Sequence, residues 1–514
     1  MPNQAYEYLL FLTLPHKALL RICMSHSMLS RSNIRIDNWP VLVAIAIVVK
    51  LTFSAIGLWL HADAGQWPMY LVGGDTPNYI EPIENLFIEG RLITHLVEDP
   101  FFLRMPGFLP LYLPLRFIFS SELTLLAIVI IQTVLSGVSV YFLSKLAFDL
   151  FGKTERVFWL TYVTFLISTY ASIYDTYILS ESLSTSFTII ALYLLINHRT
   201  SLLRIVLAGA LMAWCIFLKP YFIAVFVFYT AYLAWSTHEK GIKRVLPFLV
   251  AFVLPYAIAT TAWTSWNMTN TGEAIWLQKR RGHWNRLHLE SNPKAHLLEY
   301  VRVFGGQYIA WDPKGLTYAF YEGPKVALDM DRFPDAAFSS QFNRDSLALA
   351  KQHFDAYVSS NDSSEIISAG TRATGLLKRA REGYLSEHRL DHYTGARIRC
   401  FAGFFFQVGS YNIPFPPLAE QNIFQKLIKL GYACLFWIIM TLGLTRMLYS
   451  LFIDRSRIAI FLGAIPGFVL LLFPIILLKQ EQRYAVIAFT LLLPFAIDLI
   501  WIMADKIRLK LAKR

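Results

Sequence analysis

The stretch "VLVAIAIVVKLTFSAIGLWL", residues 41–60, is too long and too apolar for an ordinary surface helix, and nine further apolar runs follow it. Backbone N–H and C=O groups in hydrocarbon must pair within their own segment, so runs of this kind cross a bilayer as helices. Ten spans are read, each to within about three residues: 39–60, 122–148, 157–174, 177–196, 205–219, 221–236, 245–265, 426–449, 458–478 and 485–504. Several are shorter than the ~20 residues that cross comfortably, which implies tilt or half-burial. Composition agrees: 55% of the 514 residues are hydrophobic and only 16% charged, against roughly 25% charged in a soluble chain. The expected fold class is an all-α polytopic membrane protein.

The net charge of +12 raises the question of nucleic acid. The basic residues sit mostly in short loops and at the two ends, a pattern that sets membrane orientation. No aromatic-basic RNA or DNA motif is present, and no nucleic-acid partner is expected. With the N-terminus inside, the inner segments hold Lys17, Arg21, Arg31 and Arg35, then Lys153 and Arg156, Arg199 and Arg204, Lys240, Lys243 and Arg244, and Arg446, Arg455 and Arg457. The short outer loops hold few cations: Lys219, Lys479 and Arg483. Both termini are then cytoplasmic. The start reads as an amphipathic interfacial segment or a misassigned start; its short apolar stretch, with no small-residue cleavage site, is a poor signal peptide. Cys23, Cys215, Cys400 and Cys434 have neither zinc-site nor redox spacing. Cys215 and Cys434 fall in apolar runs and read as packing residues, and no structural disulfide is expected.

These boundaries divide the chain into a cytoplasmic segment 1–38, a transmembrane module 39–265, an extracytoplasmic soluble segment 266–425, C-terminal helices 426–504 and a basic cytoplasmic tail 505–514. The outer loop 61–121 lies within the first module. The soluble segment is a domain's worth of mixed sequence. Its "NRDSLALAKQHFDAYVSS" and "TRATGLLKRAREGYL" have helical periodicity, and "FPPLAEQ" reads as a turn before a helix. No solenoid repeat is present, nor the corresponding broken spans of a two-halved transporter.

The residues that can carry chemistry gather at the outer boundary. In "GGDTPNYIEPIENLFIEG", Asp75 precedes Thr76-Pro77 and suits a helix N-cap. It equally suits a general base taking a proton from an acceptor hydroxyl, with the glycines allowing close approach. Arg104, in "LRMPGF", is either a snorkelling interfacial arginine or a planar cation for phosphate or carboxylate. Glu181 opens the fourth span among serines and threonines. A carboxylate there is costly and faces a polar cavity or a partner on another helix. Lys219, in "LKP", breaks the charge pattern, which implies an anionic partner. Glu481, Arg483 and Tyr484, in "EQRY", are a helix anchor or a phosphate clamp. Arg280, Arg281 and His283, interleaved with tryptophans, offer an anionic headgroup or saccharide surface, or a solvated charge run.

Taken together, "GGDTPNYIEPIENLFIEG" followed by "RMPGFLPLY" resembles the first outer loop of the GT-C membrane glycosyltransferases. Within them it is nearest the protein mannosyltransferase and aminoarabinose transferase (ArnT-like) branch. Members show an acidic residue after the first span, a Tyr four residues on, and an R-x-P-G-[YF] element. Here these are Asp75, Tyr79 and Arg104-Met105-Pro106-Gly107-Phe108. The "LSESLSTSF" span, "LKP" and the late Glu481-Gln482-Arg483-Tyr484 also match that layout, over about 39–265 and 426–504. No motif covers the soluble segment.

The resemblance implies a polyprenyl-phosphate-sugar donor used on the outer face of a bacterial inner or cell membrane. It implies inverting transfer to a hydroxyl of a glycan, lipid or protein. Asp75 is then the base; Arg104, Lys219 and Arg483 bind the donor phosphate; Tyr79, Glu181, Glu481 and Tyr484 shape the pocket. Mannosyltransferases usually carry a second acid beside the first, where this chain has Thr76, which weakens protein mannosylation in particular. Some relatives use a divalent metal, but no ligand set is evident and no metal or other cofactor is expected. Two alternatives compete: a lipid-linked-saccharide flippase or transporter, which predicts polar residues deep in several helices, and an O-antigen ligase or polymerase, for which the basic stretch 279–288 speaks.

Overall fold

The computed structural model describes residues 36–62, 68–93, 105–152, 154–196, 201–237, 241–278, 292–308, 315–406, 408, 413, 415–416 and 420–512. Among them the chain is helical, with only isolated bridges at Leu71–Tyr177 and Ser339–Phe342. The membrane region comprises α1 (Trp39–Leu60), α2 (Thr76–Glu89), α3 (Leu109–Arg116), α4 (Ser121–Leu150), α5 (Glu155–Ile167), α6 (Ser180–Ile196), α7 (Leu202–Leu218), α8 (Phe222–Thr237) and α9 (Ile242–Thr271). The segment that follows adds α10 (Pro293–Val303), α11 (Arg344–Ser359), α12 (Ser363–Glu387) and α13 (Gly395–Phe406); α14 (Ile423–Phe452), α15 (Arg457–Leu471) and α16 (Ala485–Ala512) close the described chain. Among the described residues, six helices are long and apolar enough to cross a membrane, and α6, α7 and α8 are shorter apolar helices. The protein is an all-α integral membrane protein.

Helix burial follows sequence. In α1, Trp39, Ile45, Val48, Ile56 and Trp59 point outward while Leu42, Ala46, Lys50 and Ser54 face the bundle. In α16 every residue from Ala485 to Asp498 is buried, as a helix that is apolar all round requires. Small residues allow close crossings: a Cβ on Gly137 of α4 would lie 2.8 Å from the Ile47 Cα of α1. The predicted span 157–174 is broken. Its helix ends at Ile167, and a short turn and a 3-10 turn, Ile173–Asp175, lead to α6. The polar run Ser168-Thr169 interrupts the apolar sequence there, and Ser172 Oγ donates to the Ser168 carbonyl. The packing role read for Cys434 is also corrected: its side chain is exposed on α14, whereas Cys215 and Cys400 are buried.

The segment between α9 and α14 has a hydrophobic core of its own. Leu297, Tyr300 and Phe304 from α10 and its end meet Phe354 of α11 and Leu377 and Tyr384 of α12. α11 and α12 match the two periodic stretches read from sequence. The helix start after "FPPLAEQ" is Ile423, capped by Asn422 and Gln425 in a reciprocal capping box.

Candidate active site

Backbone pairing builds the site. Leu71 N–H donates to the Thr176 carbonyl (2.9 Å), and Ile178 N–H donates to the Leu71 carbonyl (3.0 Å). Thr76 Oγ1 accepts from Gly73 N–H (2.9 Å) and donates to the Ile178 carbonyl (2.8 Å). The loop after α1 is thus stitched to the strand-like stretch that leads into α6. α2 begins at Thr76, so Asp75 occupies the N-cap position, but its carboxylate makes no capping hydrogen bond. It turns instead to Arg483, whose Nη1 lies 2.6 Å from Asp75 Oδ2. Of the two glycines, Gly73 packs against Leu179, whereas a Cβ on Gly74 would meet nothing within 4 Å.

Arg483 is the centre of the group. Its Nε bonds Glu481 Oε2 at 2.8 Å and stands 3.9 Å from Glu181 Oε1. Glu181 in turn accepts from Lys219 Nζ at 2.9 Å. Lys219 caps the end of α7, so its anionic partner comes from the start of α6. Tyr484 supplies the floor: its ring stacks on Phe473, with Lys219 Nζ 5.3 Å and the Arg483 guanidinium 5.2 Å from its centroid. Tyr79 Oη lies 3.4 Å from Ser180 Oγ, and its ring packs on Phe108, joining the two first-loop motifs. Burial pushes Glu481 up, but the charges of Arg483 and Lys479 outweigh it and hold the carboxyl low.

The Lys219–Glu181 pair is enclosed, with 7% and 3% of the side chains exposed. Lys219→Met should therefore leave the Glu181 carboxylate with only the more distant Arg483, at 3.9 Å, and cost up to about 3–5 kcal/mol. Lys219→Met with Glu181→Gln should recover most of that loss. Thermal unfolding of the two variants in the same detergent checks it.

The structure brings together Asp75, Tyr79, Glu181, Lys219, Glu481, Arg483 and Tyr484. Arg104, Arg280, Arg281 and His283 lie outside the described residues. The remainder of the Arg104 element is placed: Gly107 packs against the end of α7, where a Cβ would lie 2.5 Å from the Phe217 carbonyl oxygen, and Trp214 Nε1 donates to the Gly107 carbonyl at 2.7 Å. Beside it is an apolar groove of about 430 Å³, lined among others by Leu86, Pro106, Trp214, Phe217, Trp263 and Trp266. Phe217 precedes Lys219 by two residues, so α7 carries both the groove wall and a cation of the site. Among the described residues, no group of three His, Cys, Asp or Glu is placed to hold a metal ion.

Two features escaped sequence reasoning. Lys50 is fully buried in α1, its Nζ 2.6 Å from Ser172 Oγ, and nearby Asp175 accepts from Ser182 Oγ at 2.5 Å. A lysine inside an apolar run was a readable signal. The other is Tyr308, between α10 and α11, whose Oη donates to Glu481 Oε1 at 3.3 Å; nothing in the sequence marks it.

No protein-family model matches the sequence, and no curated protein is similar to it. Solved structures match at low similarity. ArnT from Cupriavidus metallidurans bound to undecaprenyl phosphate is 15% identical, matched over 88% of this chain and 77% of that one, at a TM-score of 0.36. The apo state of the same ArnT gives 0.31 over the same shares. The Archaeoglobus fulgidus oligosaccharyltransferase, solved with zinc and sulfate, is 13% identical over 92% of this chain, at a TM-score of 0.39. This chain spans half the length of that oligosaccharyltransferase chain. Both are GT-C glycosyltransferases. At TM-scores below 0.5, the chemistry of the site is left to its own residues.

Proposed function

We propose that this protein is a membrane glycosyltransferase that moves a sugar from a polyprenyl-phosphate carrier to an acceptor hydroxyl on the extracytoplasmic face. The observation that carries the reading is Arg483 held between Asp75 and Glu481, with the Lys219–Glu181 pair alongside. Asp75 removes the proton of the acceptor hydroxyl as its oxygen attacks the anomeric carbon. The bond from that carbon to the lipid phosphate breaks, the phosphate leaves with the electron pair, and configuration inverts. Arg483 and Lys219 offset the charge that develops on the phosphate. Both are paired with carboxylates in the resting site, so an arriving phosphate competes for Arg483 and releases Asp75 to act as base. The apolar groove beside Trp214 suits the lipid chain. Arg104 completes the phosphate contacts, and Tyr79 and Tyr484 wall the sugar. Arg280, Arg281 and His283 are assigned to the acceptor side. Both termini are cytoplasmic in this reading.

The test uses full-length protein in proteoliposomes with polyprenyl-phosphate-linked sugars extracted from the host membrane. Transfer should release free polyprenyl phosphate one-for-one with sugar. A transporter is the second reading, favoured by the buried Lys50 and Asp175, and it predicts lipid movement between leaflets with no release.

A further inference from the structure

The outer segment reaches into the catalytic mouth. Tyr308 follows α10, and its hydroxyl donates to Glu481 Oε1, the oxygen that Arg483 does not hold. The contact is built on both sides. The Tyr308 carbonyl accepts from Thr317 Oγ1 at 2.8 Å, and the Arg302 guanidinium lies 4.3 Å from the ring centroid. Gln480, next to Glu481, donates to the Gly305 carbonyl at 2.8 Å. Gly305 has a φ of +71°, and an added Cβ there would collide with the Ala396 carbonyl oxygen, so the turn that presents Tyr308 requires glycine. On the membrane side, Tyr170 Oη donates to the Gln482 carbonyl at 2.9 Å, fixing the backbone between Glu481 and Arg483.

We propose that Tyr308 is a positioning residue that sets how Arg483 is shared between Glu481 and Asp75, and through that sharing how basic Asp75 is. One guanidinium serves two carboxylates through different nitrogens, at 2.6 Å to Asp75 and 2.8 Å to Glu481. The Tyr308 hydroxyl holds one Glu481 oxygen and draws on its charge. Without it, Glu481 competes more strongly for the guanidinium, and Asp75 loses part of its counter-charge. Removing the Glu481 charge does the reverse. Asp75 also feels Lys219, and Glu181 faces the same guanidinium from α6 at 3.9 Å; neither changes in the test. The inference rests on Asp75 as the general base, and it gives the outer segment a share in the chemistry.

The test reads Asp75 directly and needs no sugar donor. A carbodiimide labels protonated carboxyl groups, so mass spectrometry of the Asp75 peptide from full-length protein in detergent, labelled across the acidic pH range, gives a titration midpoint. An opposite charge within a few ångströms moves a carboxyl by about 1–3 units when fully gained or lost, so partial changes here are about half a unit to one unit. Tyr308→Phe should raise the midpoint by about half a unit and Glu481→Gln should lower it by about one unit. Gln480→Ala, which loosens the same docking contact without touching the carboxylates, should move it in the same direction as Tyr308→Phe and by less. Unmoved midpoints in the first two variants, movement of both in one direction, or a Gln480→Ala shift opposite to that of Tyr308→Phe would each overturn the proposal. An Asp75→Asn variant with full transfer activity would remove the base reading instead, a result the labelling does not depend on.

Discussion

Asp75→Asn is expected to lower the turnover of sugar transfer by about 10²–10⁴-fold, the usual contribution of a positioned general base. The substitution keeps the size of the side chain and an oxygen that can accept from Arg483. The fold should therefore hold, because Arg483 retains Glu481 and Glu181 as counter-charges. KM for the donor should not rise and should tend to fall, since the base acts in the transition state and the donor phosphate no longer displaces a carboxylate from Arg483. Asp75→Glu keeps the charge but moves it by one methylene, and it should recover only part of the rate. Initial rates in proteoliposomes beside thermal unfolding of the same samples separate the two effects. Equal loss of rate and of folded protein would make Asp75 a structural residue.

Arg483→Gln is expected to be more damaging because it acts on both fold and chemistry. The Arg483 side chain is only 17% exposed and faces Asp75, Glu481 and Glu181. Its removal leaves carboxylates facing one another without the central cation, at a cost of about 3–5 kcal/mol for a broken enclosed pair. Transfer should fall by a further factor of about 10²–10³ from lost stabilisation of the leaving phosphate. Arg483→Lys should recover part of the stability but little of the rate. A single ammonium does not reproduce the planar fork that reaches Asp75 through Nη1 and Glu481 through Nε. Full transfer by the lysine variant would show that charge alone suffices there.

The fold class was legible because each span must satisfy its own backbone, which ties apolar length directly to helix. That rule placed α1, α4, α9, α14 and α16, and it failed only where Ser168 and Thr169 interrupt a run and α5 stops at Ile167. The outer helices α11 and α12 were legible from periodicity, but their shared core with Tyr300 and Phe304 was not, because it joins residues far apart in sequence. At the site, the signal was the cost of charge near the membrane. It drew attention to Asp75, Glu181, Lys219 and Arg483 separately, and the anomalous Lys219 implied an anionic partner without naming it. That Glu181 is this partner, and that Asp75 turns to Arg483 rather than capping α2, depends on the pairing of Leu71 with the Thr176–Ile178 stretch. Tyr308 and Glu481 lie 173 positions apart. A tyrosine in a mixed polar segment carries no mark of such a contact.

The central claim is tested most directly by comparing the membrane lipids and surface glycans of a deletion strain with those of its parent. The account predicts that one sugar disappears from a glycan, lipid or protein acceptor while its polyprenyl-phosphate-linked precursor accumulates. A plasmid carrying the wild-type chain should restore the sugar, and one carrying Asp75→Asn should not. An unchanged set of glycans and lipids, or full restoration by the asparagine variant, would contradict it.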